Sequence, residues 1–243
     1  MDILRADGKR LKYQLALHAD GSFVHVKEKV PDHLPRYCPE RHINGDSTFC
    51  LGWSGEESLS VTDEASAKQW WTRLNAFLLL QQRVLKLRRW PGESWAHGLA
   101  AIHQQSAEKH AKALGGNFED DLKRGQFKVV RIARGLHQGP LLKLFKAEKP
   151  VVNVWERWKR VTNKKKPCIC ESPKKKKRVR FRSCYDHASH AAALVDALWN
   201  MQTAEEDFWR KNKRAPCCGT MDYCPLKDSI EHSRSGHKQA DHS

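Results

Sequence analysis

Residues 39–53 read Pro39-Glu40-Arg41-His42-Ile43-Asn44-Gly45-Asp46-Ser47-Thr48-Phe49-Cys50-Leu51-Gly52-Trp53. Asn44-Gly45-Asp46 is turn-forming sequence, and a cysteine flanked by Phe and Leu follows it, six residues after the asparagine. This is the layout of a nucleophile with a nearby amide. A thiolate attacks a thioester or acyl adenylate, and the Asn carboxamide donates a hydrogen bond to the oxyanion that develops. Pairing the thiol with Asn rather than His suits acyl carriage, because a neighbouring His base would favour hydrolysis of the acyl-enzyme. Two other readings of Cys50 stand beside this one: a small buried hydrophobe, or a metal ligand together with Cys38 and His42.

Working outward, Leu11-Lys12-Tyr13-Gln14-Leu15-Ala16-Leu17 is apolar at alternate positions and predicts a half-buried strand. Ala19-Asp20-Gly21-Ser22 supplies a turn, and Phe23-Val24-His25-Val26 begins a return strand. Pro31, Pro35 and Pro39 hold the approach to the cysteine irregular. Beyond it, Thr62-Asp63-Glu64 caps a helix with apolar residues at Trp70, Trp71, Leu74, Phe77, Leu78 and Leu85, which stops before Trp90-Pro91-Gly92. A second helix is expected from about Ser94 to Leu114.

This half of the chain resembles the ubiquitin-conjugating (E2) family. His42-Ile43-Asn44 stands where that family has His-Pro-Asn, and Cys50-Leu51 stands where it has its active-site Cys-Leu. The preceding meander, the proline-rich approach, Trp53 and the later helices agree. The match covers residues 10–114 and is similar to the divergent E2-like proteins of bacterial ubiquitin-like operons. It implies that Cys50 holds a ubiquitin-like C-terminus as a thioester received from an E1-like activating enzyme. Asn44 would then stabilise the oxyanion during aminolysis, and His42 would brace the loop. A JAB-type peptidase is a further partner such operons imply, and anti-phage defence a context. Ile43 departs from the family's Pro, and the Asn-to-Cys interval is shorter than in eukaryotic members. The family's N-terminal helix has no counterpart before the first strand.

Past Leu114-Gly115-Gly116, a helix-stop signal, the composition changes. Residues 1–110 carry a net charge of +2 and residues 111–243 a net of +14. Six of the eight cysteines follow Pro167. Cys168, Cys170, Cys184 and His187 give C-x-C-x13-C-x2-H, four soft ligands suited to a closed tetrahedral zinc site. The segment loosely resembles the SEC-C zinc module, with Glu171 and Pro173 where that module has glycines. Cys217, Cys218 and Cys224 offer three more ligands, with His232 or His190 to complete a second site. Residues 139–190 have few apolar side chains, so zinc is expected to supply folding free energy there. Phe127–Ile132 reads as a short strand, His190–Trp209 as an amphipathic helix, and the chain after Ile230 as a disordered tail.

The fold class expected is therefore α+β. An E2-like antiparallel sheet with C-terminal helices occupies residues 1–114. A small zinc-stabilised, cysteine-rich α-helical region occupies 115–230, and a tail 231–243. No apolar run approaches twenty residues and no apolar stretch follows Met1, so a membrane span and a secretory leader are not expected, which points to a reducing cytoplasm. There is no H-E-x-x-H, Gly-rich phosphate loop or G-x-S-x-G. Pro173–Val179, a lysine run, suits either nucleic acid or an acidic protein. Two rival functions remain open: a non-catalytic cysteine-rich adaptor of an E2-containing operon, and a zinc-dependent nucleic-acid-binding protein.

Overall fold

A computed structural model describes residues 1–5, 7–52, 59–92, 95–134, 139–169, 179–184 and 186–227. The chain forms two compact units. One joins residues 1–95 to residues from 208 onward, and the other is residues 96–207.

In the first unit, β1 (Asp2–Leu4) pairs antiparallel with β2 (Arg10–Lys12), and β3 (Leu15–Asp20) forms a hairpin with β4 (Phe23–Glu28). The single strand read over residues 11–17 is thus two, and the sheet is two separate ladders. The break falls at Tyr13, which is drawn into the core at 1% exposure. Its hydroxyl accepts a hydrogen bond from Gln82 Nε2 at 2.6 Å. Helix α1 (Glu64–Leu87) starts where the capping signal places it. The Asp63 carboxylate accepts from Ser66 N at 2.7 Å while the Ser66 hydroxyl accepts from Asp63 N at 3.0 Å, a reciprocal cap. Trp70, Leu74, Phe77, Leu78 and Val84 face inward; Trp71 and Leu85 are exposed. The core of this unit joins Ile3, Tyr13, Val26, Leu34, Ile43 and Phe49 to that helix face.

The second unit holds α2 (Ala100–Leu114), α3 (Phe118–Lys123) and a four-stranded antiparallel sheet. Its strands, in order, are β5 (Phe127–Ile132), β6 (Leu141–Lys146), β7 (Lys149–Trp155) and β8 (Arg160–Val161). Most of α4 (His187–Asn212) packs here as well. This corrects two expectations. The cysteine-rich region is not simply α-helical, and the basic stretch after Gly139 does bury a core. Leu142, Leu144, Val152 and Val154 form one apolar face against Ala191, Leu194 and Val195 of α4 and Ala107 and Ala111 of α2. Lys143 alternates with them, opposite Asn153 of β7, so the sheet keeps one polar face beside the apolar one. The helix stop at Gly115 (φ 68°) ends α2 within this unit, and the two units divide between Trp95 and Ala96.

Leu144 is fully buried, and truncating such a residue removes apolar contacts and leaves a cavity. Leu144→Ala is expected to cost about 2–5 kcal/mol, measured by denaturant unfolding. A loss within about 0.5 kcal/mol, typical of an exposed site, would show that the basic region has no such core.

Candidate active site and metal centre

The cysteine hairpin is built by pairing on both sides of a turn. Cys38 and Ile43 bridge each other, Ile43 N to Cys38 O at 3.0 Å and the reverse at 3.1 Å. Pro39–Arg41 makes a 3-10 turn between them, and His42 ends it in the left-handed region (φ 55°). Ile43 then pairs with Phe49, and Phe49 N donates to Val26 O of β4 at 2.8 Å. Ile43 and Phe49 are both buried, and Phe49 stacks on Phe77 of α1 with ring centroids 5.1 Å apart.

Side chains alternate along each arm of such a ladder. Seating Phe49 in the core therefore sends Thr48 and Cys50 to the opposite face, and Asn44 shares that face as the partner of Thr48. Asn44 N donates to Thr48 O at 2.8 Å, and Asn44 Nδ2 to Thr48 Oγ1 at 3.0 Å. Asp46 Oδ1 in turn accepts from the Thr48 amide at 3.0 Å and its hydroxyl at 2.7 Å. Cys50 N donates to His42 O at 2.8 Å, and the His42 ring meets Trp90 edge-on at 4.5 Å. The three sequence-predicted residues thus sit on one hairpin: Asn44 exposed, His42 and Cys50 half-buried. Trp53 lies outside the described residues.

The Cys50 thiol donates to Gly52 O at 3.4 Å. Burial pushes its pKa above the ordinary thiol value, partly offset by hydrogen bonding to the Gly52 backbone. At neutral pH it is a protected thiol. Asn44 supplies a donor on its face, not a base.

The proposed metal ligands fall into two groups. Cys168 Sγ lies 3.5 Å and Cys184 Sγ 3.0 Å from His187 Nδ1, and the three ligand atoms all lie within 4.8 Å of one another. Cys168 is positioned by its amide bond to Val179 O at 2.7 Å, and His187 opens α4. A Cys₂His donor set of this chemistry suits zinc. The fourth predicted ligand, Cys170, lies outside the described residues, as do the lysines of 174–177, the predicted tail and His232. His190 Nδ1 lies 2.9 Å from His110 Nδ1 within the second unit. In the first unit, Cys217, Cys218 and Cys224 cluster with Cys38, whose sulfur is 2.9 Å from that of Cys218. Sequence reasoning grouped Cys38 with Cys50 and missed this. The one signal was a shared step, Cys38-Pro39 and Cys224-Pro225.

Comparison with known families places a break near residue 95, where the two units part, although the second match runs on through residues 208–226 of the first unit. Residues 1–92 match the family model of a prokaryotic E2 domain, and residues 96–226 that of the cysteine-rich domain found C-terminal to E2 domains. The chain belongs to that family: a divergent bacterial E2-like protein with a cysteine-rich C-terminal region. No curated protein and no solved structure shows significant similarity to it.

Because burial raises the Cys50 pKa, its alkylation by iodoacetamide should climb with pH past the ordinary thiol midpoint of about 8.5. Peptide-level mass spectrometry across a pH series resolves Cys50 from the other cysteines. A midpoint below that of a free thiol would contradict the geometry.

Proposed function

We propose that the protein accepts a ubiquitin-like protein as a thioester on Cys50 from an E1-like activating enzyme and transfers it to an amine, normally a lysine. The observation that carries this reading is the half-buried Cys50 on the hairpin face opposite Phe49, paired to His42 and sharing that face with Asn44, inside a prokaryotic E2 domain. In transthiolation the Cys50 thiolate attacks the incoming thioester carbonyl and the E1 thiolate leaves. In aminolysis a neutral amine attacks the Cys50 thioester, loses a proton to solvent, and the Cys50 thiolate leaves. Asn44 Nδ2, which has a second N–H beyond the one given to Thr48, donates to the oxyanion in both steps. The Cys50 thiol is hydrogen-bonded to the Gly52 carbonyl, a neutral acceptor rather than a base, which suits an acyl group held until an amine arrives.

Zinc at Cys168, Cys184 and His187 is part of the same proposal, as a structural ion in the cysteine-rich domain. Its mixed sulfur and nitrogen donors and the buried Cys168 support it. The setting is a bacterial ubiquitin-like pathway of the cytoplasm with an anti-phage role, in which a JAB-type peptidase would remove what this protein attaches. The basic residues of 139–184 would bind an acidic protein or nucleic acid. No helix among the described residues is long and apolar enough to cross a membrane.

The test is reconstitution with the E1-like enzyme, the ubiquitin-like protein and ATP. Wild-type protein should form an adduct that thiols cleave, Cys50→Ser an oxyester that they do not, and Cys50→Ala none. Asn44→Ala should still load but discharge to lysine on the order of 10²-fold more slowly, the cost of one oxyanion donor. Conjugation that survives in cells carrying Cys50→Ala would favour the adaptor reading.

A further inference from the structure

Four cysteines meet in the first unit. Cys38 lies in the turn ahead of the hairpin, and Cys217, Cys218 and Cys224 follow α4. Cys218 and Cys38 bring their sulfurs to 2.9 Å, Cys217 and Cys224 hydrogen-bond each other, and Cys224 lies within electrostatic range of Cys218. All four pack with Val84, Met221 and Leu226.

Each sulfur also receives a backbone N–H. Gly219 donates to Cys217 at 3.4 Å, Thr220 to Cys218, Leu226 to Cys224 and Arg41 to Cys38. Backbone N–H groups aimed at sulfur are the outer-shell hydrogen bonds that a metal-bound thiolate accepts. Gly219 (φ 70°) turns the chain so that successive amides reach the two adjacent cysteines.

An independent observation comes from Arg41, buried at 1% exposure. Its Nε donates to Gln81 Oε1 at 2.8 Å and its Nη1 to Thr220 Oγ1 at 3.2 Å, while Nη2 is buried with no hydrogen-bond partner. Thr220 Oγ1 is itself 3.1 Å from Cys218 Sγ, and the guanidinium feels both Cys38 and Cys218. No carboxylate forms a salt bridge with it among the described residues, and the buried Glu28 carboxylate acts on it only at longer range. A buried cation in that state is costly unless negative charge stands beside it.

We propose that Cys38, Cys217, Cys218 and Cys224 bind one zinc-class divalent ion as a closed tetrathiolate, with Arg41 as its buried counter-charge. The four thiols lose their protons to solvent, and four thiolates around a divalent ion leave a net charge of −2 for the guanidinium to offset. Metal–sulfur bonds of about 2.3 Å set tetrahedral S···S edges of about 3.8 Å, so on binding the Cys38–Cys218 pair opens by about 1 Å and the two sulfur pairs, Cys38–Cys218 and Cys217–Cys224, draw together around the ion. With four protein ligands the site is structural. It fastens the segment after α4 to the turn that begins the Cys50 hairpin, since Cys38 is backbone-paired to Ile43. The proposal does not depend on Cys50 carrying a thioester.

The test uses full-length protein purified under reducing conditions without added metal. Elemental analysis should show one equivalent of zinc fewer in Cys38→Ser than in wild type, and no change in Cys50→Ser. Should Cys38→Ser fail to fold, N-ethylmaleimide footprinting of the wild type gives the answer. The four cysteines should be protected together and become reactive together as a chelator removes one equivalent. Unchanged zinc in folded Cys38→Ser, four cysteines that react independently, or a Cys38–Cys218 disulfide in protein alkylated at lysis would each overturn the site.

Discussion

The seating of Ile43 and Phe49 in the core is what gives Cys50 its place. Side chains of this size each contribute about 1.5–3 kcal/mol when fully buried, and Phe49 adds a ring stack on Phe77 and a backbone bond to Val26. A one-residue slip of the arm would exchange Cys50 with Phe49, putting the thiol inside and a phenyl ring outside. The polar turn of residues 44–48, closed by Asp46 and Thr48, makes that slip still less favourable. Hydrophobic packing, rather than anything chemical at sulfur, decides that the thiol takes the face opposite Phe49.

A second constraint lies on the other side of the same hairpin. Arg41 and Gln81 exchange hydrogen bonds, Nε to Oε1 at 2.8 Å and Gln81 Nε2 to Arg41 O at 2.6 Å, which clamps the 3-10 turn to α1. Placing a guanidinium there is expensive in isolation, a cost that the proposed thiolates at Cys38 and Cys218, together with the Glu28 carboxylate, would offset. The C-terminal segment is held by further polar ties. Arg88, the residue that ends α1, pairs with Asp222 at 2.7 Å and donates to Gly219 O at 3.2 Å. The cysteine-rich chain thus has its last cysteines on the E2-like unit and its others in a unit of their own.

How much of this was legible in the sequence depended on range. Short-range signals carried well: the Asp63 cap, the β3–β4 hairpin, the strand at Phe127–Ile132 and the long final helix all follow from patterns within a few residues. The motif His42-Ile43-Asn44 with Cys50 pointed to the family that the whole chain then showed. What escaped was set by contacts far apart in sequence. Tyr13 breaks the first strand because Gln82 is waiting for its hydroxyl, and Cys38 finds Cys218 across 180 residues. The sheet β6–β8 escaped for another reason. The basic residues of the strands and of the turns between them drew the reading toward charge, and the inward set Leu142, Leu144, Val152 and Val154 was passed over as a strand face.

The account is tested most directly by locating the adduct. Protein charged by its E1-like enzyme, kept free of reductant and digested at low pH, should carry the ubiquitin-like C-terminal remnant on the peptide containing Cys50. A remnant on the peptides of Cys38, Cys217 or Cys218, or on none, would contradict it.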